Sequence, residues 1–249
     1  MNRPKVEQIT PYDGDTRGKT SQVRDMFDSI APAYDFMNRA MTLGVDRTWR
    51  RKAVDVAAQD SPARVLDLAT GTADLAIALA KRMPDAEITG ADLSERMIEA
   101  GRVKVARAGL GDRVTLQVAD GLHLPMPDAT FDCITIAYGI RNFASMLDGY
   151  REMWRVLRPG GRVVVLELST PTNPVALGLY QIYTRTLIPT VGRLLSHDRR
   201  AYSYLPESVR AVAQGDAMTA LMTEAGFTNA TFRRLTFGSC TIYTATKPA

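Results

Sequence analysis

The feature that most constrains the fold is an alternation that begins after Ser61 and Pro62. Short apolar runs there alternate with segments whose apolar residues recur at helical spacing. Strands that are apolar on both faces and alternate with helices are typical of a parallel sheet covered on both sides. The pattern therefore predicts an α/β fold with a doubly wound, mostly parallel sheet. The predicted strands lie at 63–69, 86–93, 113–120, 131–138 and 162–169, and the predicted helices at 74–83, 94–109 and 147–157.

The C-terminal third extends this prediction to a Rossmann-like sheet of seven strands. The stretch 172–210 breaks the alternation and is predicted to be a helical insert before the last two strands. Its aromatic and basic residues include Tyr180, Tyr183, Arg185, Arg193, Arg199, Arg200, Tyr202 and Tyr204. A helix at 216–226 and strands at 229–236 and 239–246 follow. Because Phe237 and Gly238 join these two strands, we expect an antiparallel hairpin at one edge of the sheet.

Helices are also predicted ahead of the sheet. Residues 1–19 are polar and mixed in charge, which predicts a flexible N-terminus. Apolar residues at helical spacing then indicate an amphipathic helix, and two further helices are predicted at 34–41 and 46–58, the last capped by Asp46. We predict that 20–60 forms an N-terminal helical lid and that 20–249 is a single domain. The apolar residues of the first helix are Val23, Met26, Phe27 and Ile30.

Composition excludes several classes of protein. With 45% hydrophobic and 23% charged residues among 249, the chain is neither disordered nor collagenous. Cys133 and Cys240 lie far apart without a Cys/His cluster, which argues against a metal site and a disulfide framework. The sequence has no apolar run of the roughly 18 residues that would span a bilayer, and its start does not resemble a signal peptide. We therefore expect a cytoplasmic protein, whose net charge of +4 identifies no partner.

The first predicted strand runs into its helix through a glycine turn, from Asp67 through Gly71 to Asp74. In doubly wound sheets, ligands bind at the carboxyl ends of the strands. Asp92 closes the next strand, about 20 residues after the turn, where a carboxylate can hold both ribose hydroxyls. Together these features predict a nucleotide site, although a glycine at such a turn can be only a backbone requirement.

Electrostatics indicates which nucleotide would fit. A dinucleotide places its pyrophosphate at the helix N-terminus, where Asp67 and Asp74 would repel it. S-adenosylmethionine carries an ammonium and a sulfonium and no phosphate, so it suits these carboxylates, although Asp74 can equally cap its helix. After the third strand, Asp120 and Gly121 can bind the exocyclic amine and a ring nitrogen of adenine, or can simply form a turn.

Longer motifs resemble a known family. They are FDSIAPAYDFMN (27–38), WRRKAV (49–54), VLDLATGTADL (65–75), ADLSERM (91–97), LPMPDATFDCITIAYGIRN (124–142) and MWRVLRPGGRVVVLELS (153–169). From about Val23 onward the chain resembles the ubiquinone/menaquinone biosynthesis C-methyltransferases, a family of class I S-adenosylmethionine-dependent methyltransferases. The resemblance implies C-methylation of a polyprenylated benzoquinol or naphthoquinol, and we favour demethylmenaquinol.

The resemblance also assigns candidate cofactor residues. Thr72, Asp92 and the pair Asp120–Gly121 fall on the family's cofactor contacts, and the family pattern implies that Tyr34 folds over the cofactor with its N-terminal segment. The turn of class I methyltransferases in general is richer in glycine than the turn in this chain. Ala69 and Ala73 replace two of those glycines, and we expect strain wherever either position needs a positive φ.

Candidate catalytic residues follow the fourth predicted strand. A quinol carbon becomes nucleophilic when the neighbouring hydroxyl loses its proton, so a residue that stabilises the phenolate would accelerate methyl transfer. Arg141 is the first candidate, with Asn142 and Tyr138 as hydrogen-bonding neighbours; a surface salt bridge is the alternative for Arg141. The general base is unassigned: His123 and His197 are better read as ordinary histidines, and a water can carry the proton.

Partners and alternative functions remain open. The segment 179–195 could hold the isoprenoid tail and make peripheral contact with the inner face of the membrane, or could be an ordinary packed helix. A nucleic-acid methyltransferase, another small-molecule methyltransferase and a non-catalytic adenosyl-ligand binding module are alternatives. Ala137–Ile140 lacks the Pro-Pro-aromatic motif of base-amine methyltransferases, so we expect no nucleic-acid partner, and Asp74 opposes an NAD-dependent oxidoreductase. The sequence does not distinguish a monomer from a homodimer.

Overall fold

The computed structural model describes residues 4–12, 14–195 and 199–249, with side chains in these ranges except at 185 and 187–202. The strands are β1 (Arg64–Leu68), β2 (Glu87–Asp92), β3 (Val114–Val118), β4 (Phe131–Ala137), β5 (Leu157–Leu168), β6 (Thr228–Leu235) and β7 (Cys240–Thr246). The α-helices are α1 (Lys19–Ile30), α2 (Tyr34–Thr42), α3 (Asp46–Ala57), α4 (Asp74–Arg82), α5 (Glu95–Arg107), α6 (Met146–Val156), α7 (Pro174–Leu195), α8 (Arg199–Ala211) and α9 (Asp216–Glu224).

The strands form one seven-stranded sheet in the order β3-β2-β1-β4-β5-β7-β6. β1 to β5 are parallel, and β7 pairs antiparallel with both β5 and β6. The predicted Rossmann-like sheet with an antiparallel hairpin at one edge is therefore confirmed. The strand order reverses between β1 and β4, and such a switch point opens a crevice at the carboxyl ends of the strands.

Helices cover both faces of the sheet, because neighbouring strand residues point to opposite sides. Leu66 and Ile134 belong to a core formed with α6 and α9, which also contains the fully buried Tyr150. Val65 and Cys133 belong to the opposite core, which is formed with α3, α4 and α5. Burial on both sides explains the nearly continuous apolar runs in these strands.

The glycine turn after β1 adopts left-handed backbone conformations at three positions. Gly71 has φ +55°, and the two alanines where strain was expected, Ala69 and Ala73, have φ +52° and +66°. Alanine in this region costs on the order of 1 kcal/mol relative to glycine. The turn is held by backbone hydrogen bonds from the Thr70 amide to the Ala91 carbonyl at 3.0 Å and from the Ala73 amide to the Thr70 carbonyl at 3.0 Å.

The first residues of the chain contain a helical turn that the sequence does not predict. A short 3-10 helix spans Lys5–Gln8, and its Val6 is fully buried. The buried Lys19 ammonium donates to the Val6 carbonyl at 2.6 Å and to the Arg141 carbonyl at 3.1 Å. The buried Val6 side chain and the two hydrogen bonds of Lys19 hold this segment against the loop after β4. Residues 1–3 and 13 lie outside the described residues.

Two element boundaries also differ from the prediction. Strand β5 begins at Leu157 rather than at 162, because Leu157 pairs with Phe131 across an irregularity in the ladder. Asp46 does not cap α3; Val45 is the cap, and the buried Asp46 carboxylate accepts from Thr42 at 2.9 Å and from Arg50 at 2.6 Å. None of the helices in the described ranges has both the length and the apolar character needed to cross a membrane.

Candidate active site

Two adjoining cavities open at the carboxyl ends of β1, β2 and β4. The smaller, a cleft of about 70 Å³, lies over the glycine turn between Asp92 and Asp120. The larger, about 630 Å³, extends under α2, α7 and α8. The two share four lining residues, Phe27, Tyr34, Tyr138 and Asn142. A ligand in one cavity therefore lies next to a ligand in the other, as a transfer reaction between two substrates requires.

Asp92 is positioned by the backbone of the cleft. Its carboxylate accepts from the Gly71 amide at 2.8 Å and from the Ser94 amide at 2.9 Å, one bond to each oxygen. Burial raises the pKa of Asp92, and these two backbone hydrogen bonds partly offset that rise. Each carboxylate oxygen retains acceptor capacity, so Asp92 can receive two neighbouring hydroxyl groups such as those of a ribose.

Asp120 and Gly121 form the opposite wall of the cleft. The Leu122 amide donates to the Asp120 carboxylate at 3.0 Å, which fixes the turn after β3. A Cβ at Gly121 would lie only 2.5 Å from Cζ of Phe143, so glycine is required for this ring to pack there. Phe143 lines the cleft beside Asp120, and an aromatic ring beside an acceptor is a suitable seat for adenine. Sequence reasoning missed Phe143, although it directly follows YGIRN.

Two of the predicted cofactor residues do not line the cleft. Asp67 is buried beneath the turn and accepts from Thr70 at 2.6 Å and from Thr135 at 2.7 Å. Burial raises the pKa of Asp67 to about 6. The Thr72 hydroxyl donates to Asp35 at 2.6 Å and so contacts α2. Asp74, which entered the electrostatic argument, is neutralised by Lys104 and by Arg50, the latter at 3.3 Å.

The carboxylates that line the cleft are therefore Asp92 and Asp120, and not Asp67 and Asp74 as the sequence predicts. The reason lies in the partners of these side chains: Asp67 accepts from the Thr70 and Thr135 hydroxyls beneath the turn, and Asp74 pairs with Lys104 and Arg50. The electrostatic conclusion is retained with different residues, because two carboxylates still oppose a pyrophosphate and suit a phosphate-free cation.

The N-terminal helices close the cleft from above. Tyr34 packs edge-on against Phe27 with ring centroids 6.1 Å apart, and a Cβ added at Gly71 would lie 3.6 Å from the Tyr34 ring. Asp35, next in α2, accepts from Lys104 of α5 at 2.7 Å. A cleft of about 70 Å³ is small beside ordinary ligand pockets of roughly 300–1,000 Å³. A nucleoside is larger than this cleft, so its entry requires lining side chains to move, and Phe27 and Tyr34 are the two aromatic rings that the N-terminal helices contribute to the lining.

The larger cavity has one strongly polar end. There Arg141 donates to the Glu167 carboxylate of β5 at 2.8 Å and to the Tyr138 carbonyl, and both charged side chains are buried, with exposures of 8% and 1%. Burial lowers the pKa of Arg141, but the Glu167 carboxylate together with Tyr204 and Tyr34 outweighs this effect, so the pKa is raised and the guanidinium stays charged. Because the Arg141–Glu167 pair is buried, the alternative interpretation of Arg141 as part of a surface salt bridge is excluded.

In the described part of the chain, most of the buried polar atoms without a hydrogen-bond partner belong to residues of this cavity. Within the described ranges, five buried side-chain polar atoms have no hydrogen-bond partner, and four belong to residues that line the larger cavity. Leaving such a group unpaired costs about 1–3 kcal/mol. Their presence along the lining of one cavity indicates a site for a ligand with polar groups. The four atoms are Tyr138 Oη, Arg141 Nε, Asn142 Oδ1 and Tyr204 Oη.

Tyr204 was not among the predicted site residues. It lies on α8 of the insert, is only 4% exposed and packs with Met26 and Met37 from the N-terminal helices. Burial is the main cause of its raised pKa, which keeps its hydroxyl protonated. The sequence signal was limited to the aromatic richness of 172–210, which does not distinguish one tyrosine from another.

The mouth of the larger cavity carries exposed apolar side chains from three separate segments. Leu43 and Phe237 are 76% and 84% exposed, and both have left-handed backbone conformations, with φ +51° and +56°. The remaining members of this apolar rim are Val45, Val175 and Leu179. The predicted insert residues Arg185, Arg193, Arg199, Arg200 and Tyr202, and also His197, have side chains outside the described part of the chain. His123 is exposed beside Asp120.

Comparison with known proteins identifies close relatives. The sequence model of the ubiE/COQ5 methyltransferase family matches residues 15–247. The chain is 46% identical to a demethylmenaquinone methyltransferase of Bacteroides fragilis over 247 residues, covering 99% of this chain and 100% of that protein. It is 44% identical to the ubiquinone/menaquinone biosynthesis C-methyltransferase UbiE of Geobacter sulfurreducens over 244 residues, covering 98% and 94%.

Solved structures share the fold at lower identity. A possible histamine N-methyltransferase from Thermotoga maritima, described as S-adenosylmethionine-dependent, superposes with a TM-score of 0.65 at 16% identity, covering 90% of this chain and 99% of that one. The S-adenosylmethionine-dependent methyltransferase SibL superposes with a TM-score of 0.60 at 24% identity, covering 83% and 57%. At these identities the likeness concerns the fold alone.

Proposed function

Because the chain belongs to the ubiE/COQ5 methyltransferase family, we propose that it methylates a ring carbon of a polyprenylated quinol with S-adenosylmethionine. The acceptor we favour is demethylmenaquinol, with a ubiquinone-pathway benzoquinol as the second candidate. The observation that carries this proposal is the pair of adjoining cavities, one lined by Asp92 and Asp120 and the other apolar with Arg141 at its polar end.

The cleft supplies what S-adenosylmethionine would need. Asp92 would hold the ribose hydroxyls and Asp120 with Gly121 the adenine, beside the Phe143 ring. When bound, S-adenosylmethionine supplies a methyl group on a positively charged sulfur, which already makes it an activated electrophile. Phe27 and Tyr34 would exclude water by closing over the cleft. We propose that 20–60 acts as this lid, with the Asp35–Lys104 ion pair as one of its fastenings.

The larger cavity supplies what the acceptor would need. Arg141 would face the quinol oxygen whose deprotonation activates the neighbouring ring carbon, and its fixed positive charge would stabilise the phenolate. Glu167 keeps the guanidinium in place, since it accepts from both the Arg141 side chain and the Arg141 amide, the latter at 3.4 Å. The apolar walls would hold the isoprenoid tail. A water can remove the hydroxyl proton.

The apolar rim supports a peripheral membrane contact. Exposed apolar side chains such as Leu43, Val175 and Phe237 surround the mouth of a cavity that we assign to a lipid-soluble acceptor. Burial of these side chains in the interfacial layer would open the cavity to the bilayer in which such an acceptor dissolves. We propose that the protein is cytoplasmic and docks on the inner face of the membrane through this rim.

A methyl-transfer assay tests the function. Labelled S-adenosylmethionine is incubated with the protein and a demethylmenaquinol or a benzoquinol carrying a short prenyl tail. We expect label on the ring carbon of the quinol, and a turnover at least about tenfold lower for Arg141→Ala with cofactor affinity retained. Arg151→Ala, which removes an exposed arginine of α6, is the matched control. If neither quinol were labelled by the unaltered protein, the proposed function would be wrong.

A further inference from the structure

The orientation of the Asn142 side chain is set by a neighbouring carbonyl group. Its Nδ2 donates to the Tyr138 carbonyl at 3.3 Å. A carbonyl oxygen accepts hydrogen bonds and does not donate them, so the amide nitrogen of Asn142 must face it. The amide oxygen Oδ1 is then left on the other side, buried and without a partner among the described residues. The site therefore contains a hydrogen-bond acceptor that needs a donor.

The unpartnered groups nearby are of a different kind. Arg141 Nε can only donate, and the protonated Tyr204 hydroxyl can donate to an oxygen of a ligand. All three residues line the larger cavity. A ligand that satisfies the whole set must therefore offer oxygen atoms that accept, and at least one hydrogen that it donates to Asn142.

The two redox forms of the acceptor differ in this respect. A quinol hydroxyl both accepts and donates hydrogen bonds, whereas a quinone carbonyl only accepts. Resting on the proposed function above, we propose that Asn142 selects the reduced acceptor, by accepting a hydrogen bond from a quinol hydroxyl through Oδ1. Tyr204 and Arg141 donate to oxygen in either form and position the ring without sensing its redox state.

This arrangement excludes an unproductive complex. A quinone in the cavity would leave Asn142 Oδ1 buried and unpaired, and a site built to hydrogen-bond a hydroxyl rejects an analogue that lacks it. The quinone ring is electron-poor and cannot attack a sulfonium. A protein that bound both forms equally would be inhibited by the oxidised form of its own acceptor.

Equilibrium binding to the complete protein tests this inference. The probe is a naphthoquinone with one prenyl group and a free ring position, used in its reduced and oxidised forms under anaerobic conditions. S-adenosylhomocysteine replaces the methyl donor, so that nothing reacts. We expect the quinol to bind about tenfold or more tighter than the quinone. Each tenfold preference raises the midpoint potential of the bound two-electron couple by about 30 mV, which gives a second, spectroscopic readout.

Variants separate selection from general damage to the site. In Asn142→Ala and in the nearly isosteric Asn142→Leu, we expect quinone affinity to persist and the preference to fall to about twofold or less, since the acceptor is gone. Tyr204→Phe is the matched control: it should weaken both forms by a similar factor and keep the preference. Thermal unfolding and S-adenosylhomocysteine binding check that each variant is folded.

Three results would overturn the inference: equal binding of both forms by the unaltered protein, a preference that survives in both Asn142 variants, or loss of all quinone binding in those variants. The proposed function fails in a different way. If the unaltered protein bound the quinol selectively but never methylated it, Asn142 would still select the reduced form and the reaction assigned to the cavity would be wrong.

Discussion

The ion pair between Arg141 and Glu167 allows the catalytic assignment to be tested through stability as well as turnover. Both side chains are buried, so removing one partner leaves an uncompensated charge in the interior. Such a change costs about 3–5 kcal/mol, a large part of the roughly 5–15 kcal/mol by which domains are stable. We therefore expect Glu167→Gln to be strongly destabilised. The introduced glutamine can still accept from the Leu168 amide, which donates to the Glu167 carboxylate at 2.8 Å in the unaltered protein.

Urea unfolding measures this effect. With a slope near 3 kcal/mol per molar, a loss of 3–5 kcal/mol lowers the unfolding midpoint by about 1–2 M. Turnover should fall as well, because the guanidinium loses the group that holds it. Asp148→Asn is the control: it breaks the exposed pair between Asp148 and Arg151 on α6, and such pairs contribute only about 0–1 kcal/mol.

The double variant Arg141→Met, Glu167→Leu separates the two roles of the pair. Because replacing a whole buried ion pair by apolar side chains is often neutral or stabilising, we expect stability to return to within about 1–2 kcal/mol of the original. Turnover should remain at least about tenfold below that of the unaltered protein, because no positive charge remains at the quinol oxygen. If the two single losses of stability simply added in the double variant, or if the double variant recovered full turnover, the reasoning would be refuted.

Three further changes probe the lid, the turn and the rim. Tyr34→Ala should weaken S-adenosylmethionine binding about tenfold by calorimetry, through loss of the ring that covers the cleft, and unchanged affinity would count against a lid. Burial raises the pKa of Asp67 from 3.8 to about 6, so the contribution of this group to folding is present below pH 4 and lost as the pH rises through 6. The unfolding free energy relative to Asp67→Asn should therefore fall between pH 4 and pH 6 in urea titrations. Leu43→Ser combined with Phe237→Ser should reduce co-sedimentation with anionic vesicles without lowering stability, since both side chains are exposed; undiminished co-sedimentation would exclude the rim as the contact.

The sheet could be predicted because its signals are local. Each strand is an apolar run bounded by turn residues, and Ser94 caps α5 by accepting from the Met97 amide at 3.1 Å. Asp92 and Asp120 line the cleft because each closes a parallel strand, and all such strands end at the same edge. For these residues, the position in the chain and the rule for the fold together determine the position in space.

Side-chain direction within the turn could not be predicted in the same way. Asp67, Thr72 and Asp74 lie in or beside the predicted turn, but each side chain faces a polar partner outside the cleft. Those partners, Thr135, Asp35 and Lys104 among them, are distant in the sequence, so the sequence did not indicate the direction of these side chains. The packing of Val6 beneath the loop after β4 escaped prediction for a related reason: a single valine among polar residues carries no periodicity.

Tyr204 shows how the site divides between the sheet and the helices around it. Arg141 and Asn142 come from the loop between β4 and α6, and Glu167 comes from β5. Hydrogen bonds from the Arg141 amide and guanidinium to the Glu167 carboxylate join this loop to the sheet. Tyr204 reaches the same cavity from α8, which is held by packing against the N-terminal helices. Substitutions in α7 and α8 can therefore reshape the space for the prenyl tail while the charged end stays in place. We therefore expect substitutions in α7 and α8 to change the preference for tail length. Substitutions in the loop that carries Arg141 and Asn142 should instead change the ability to activate a quinol.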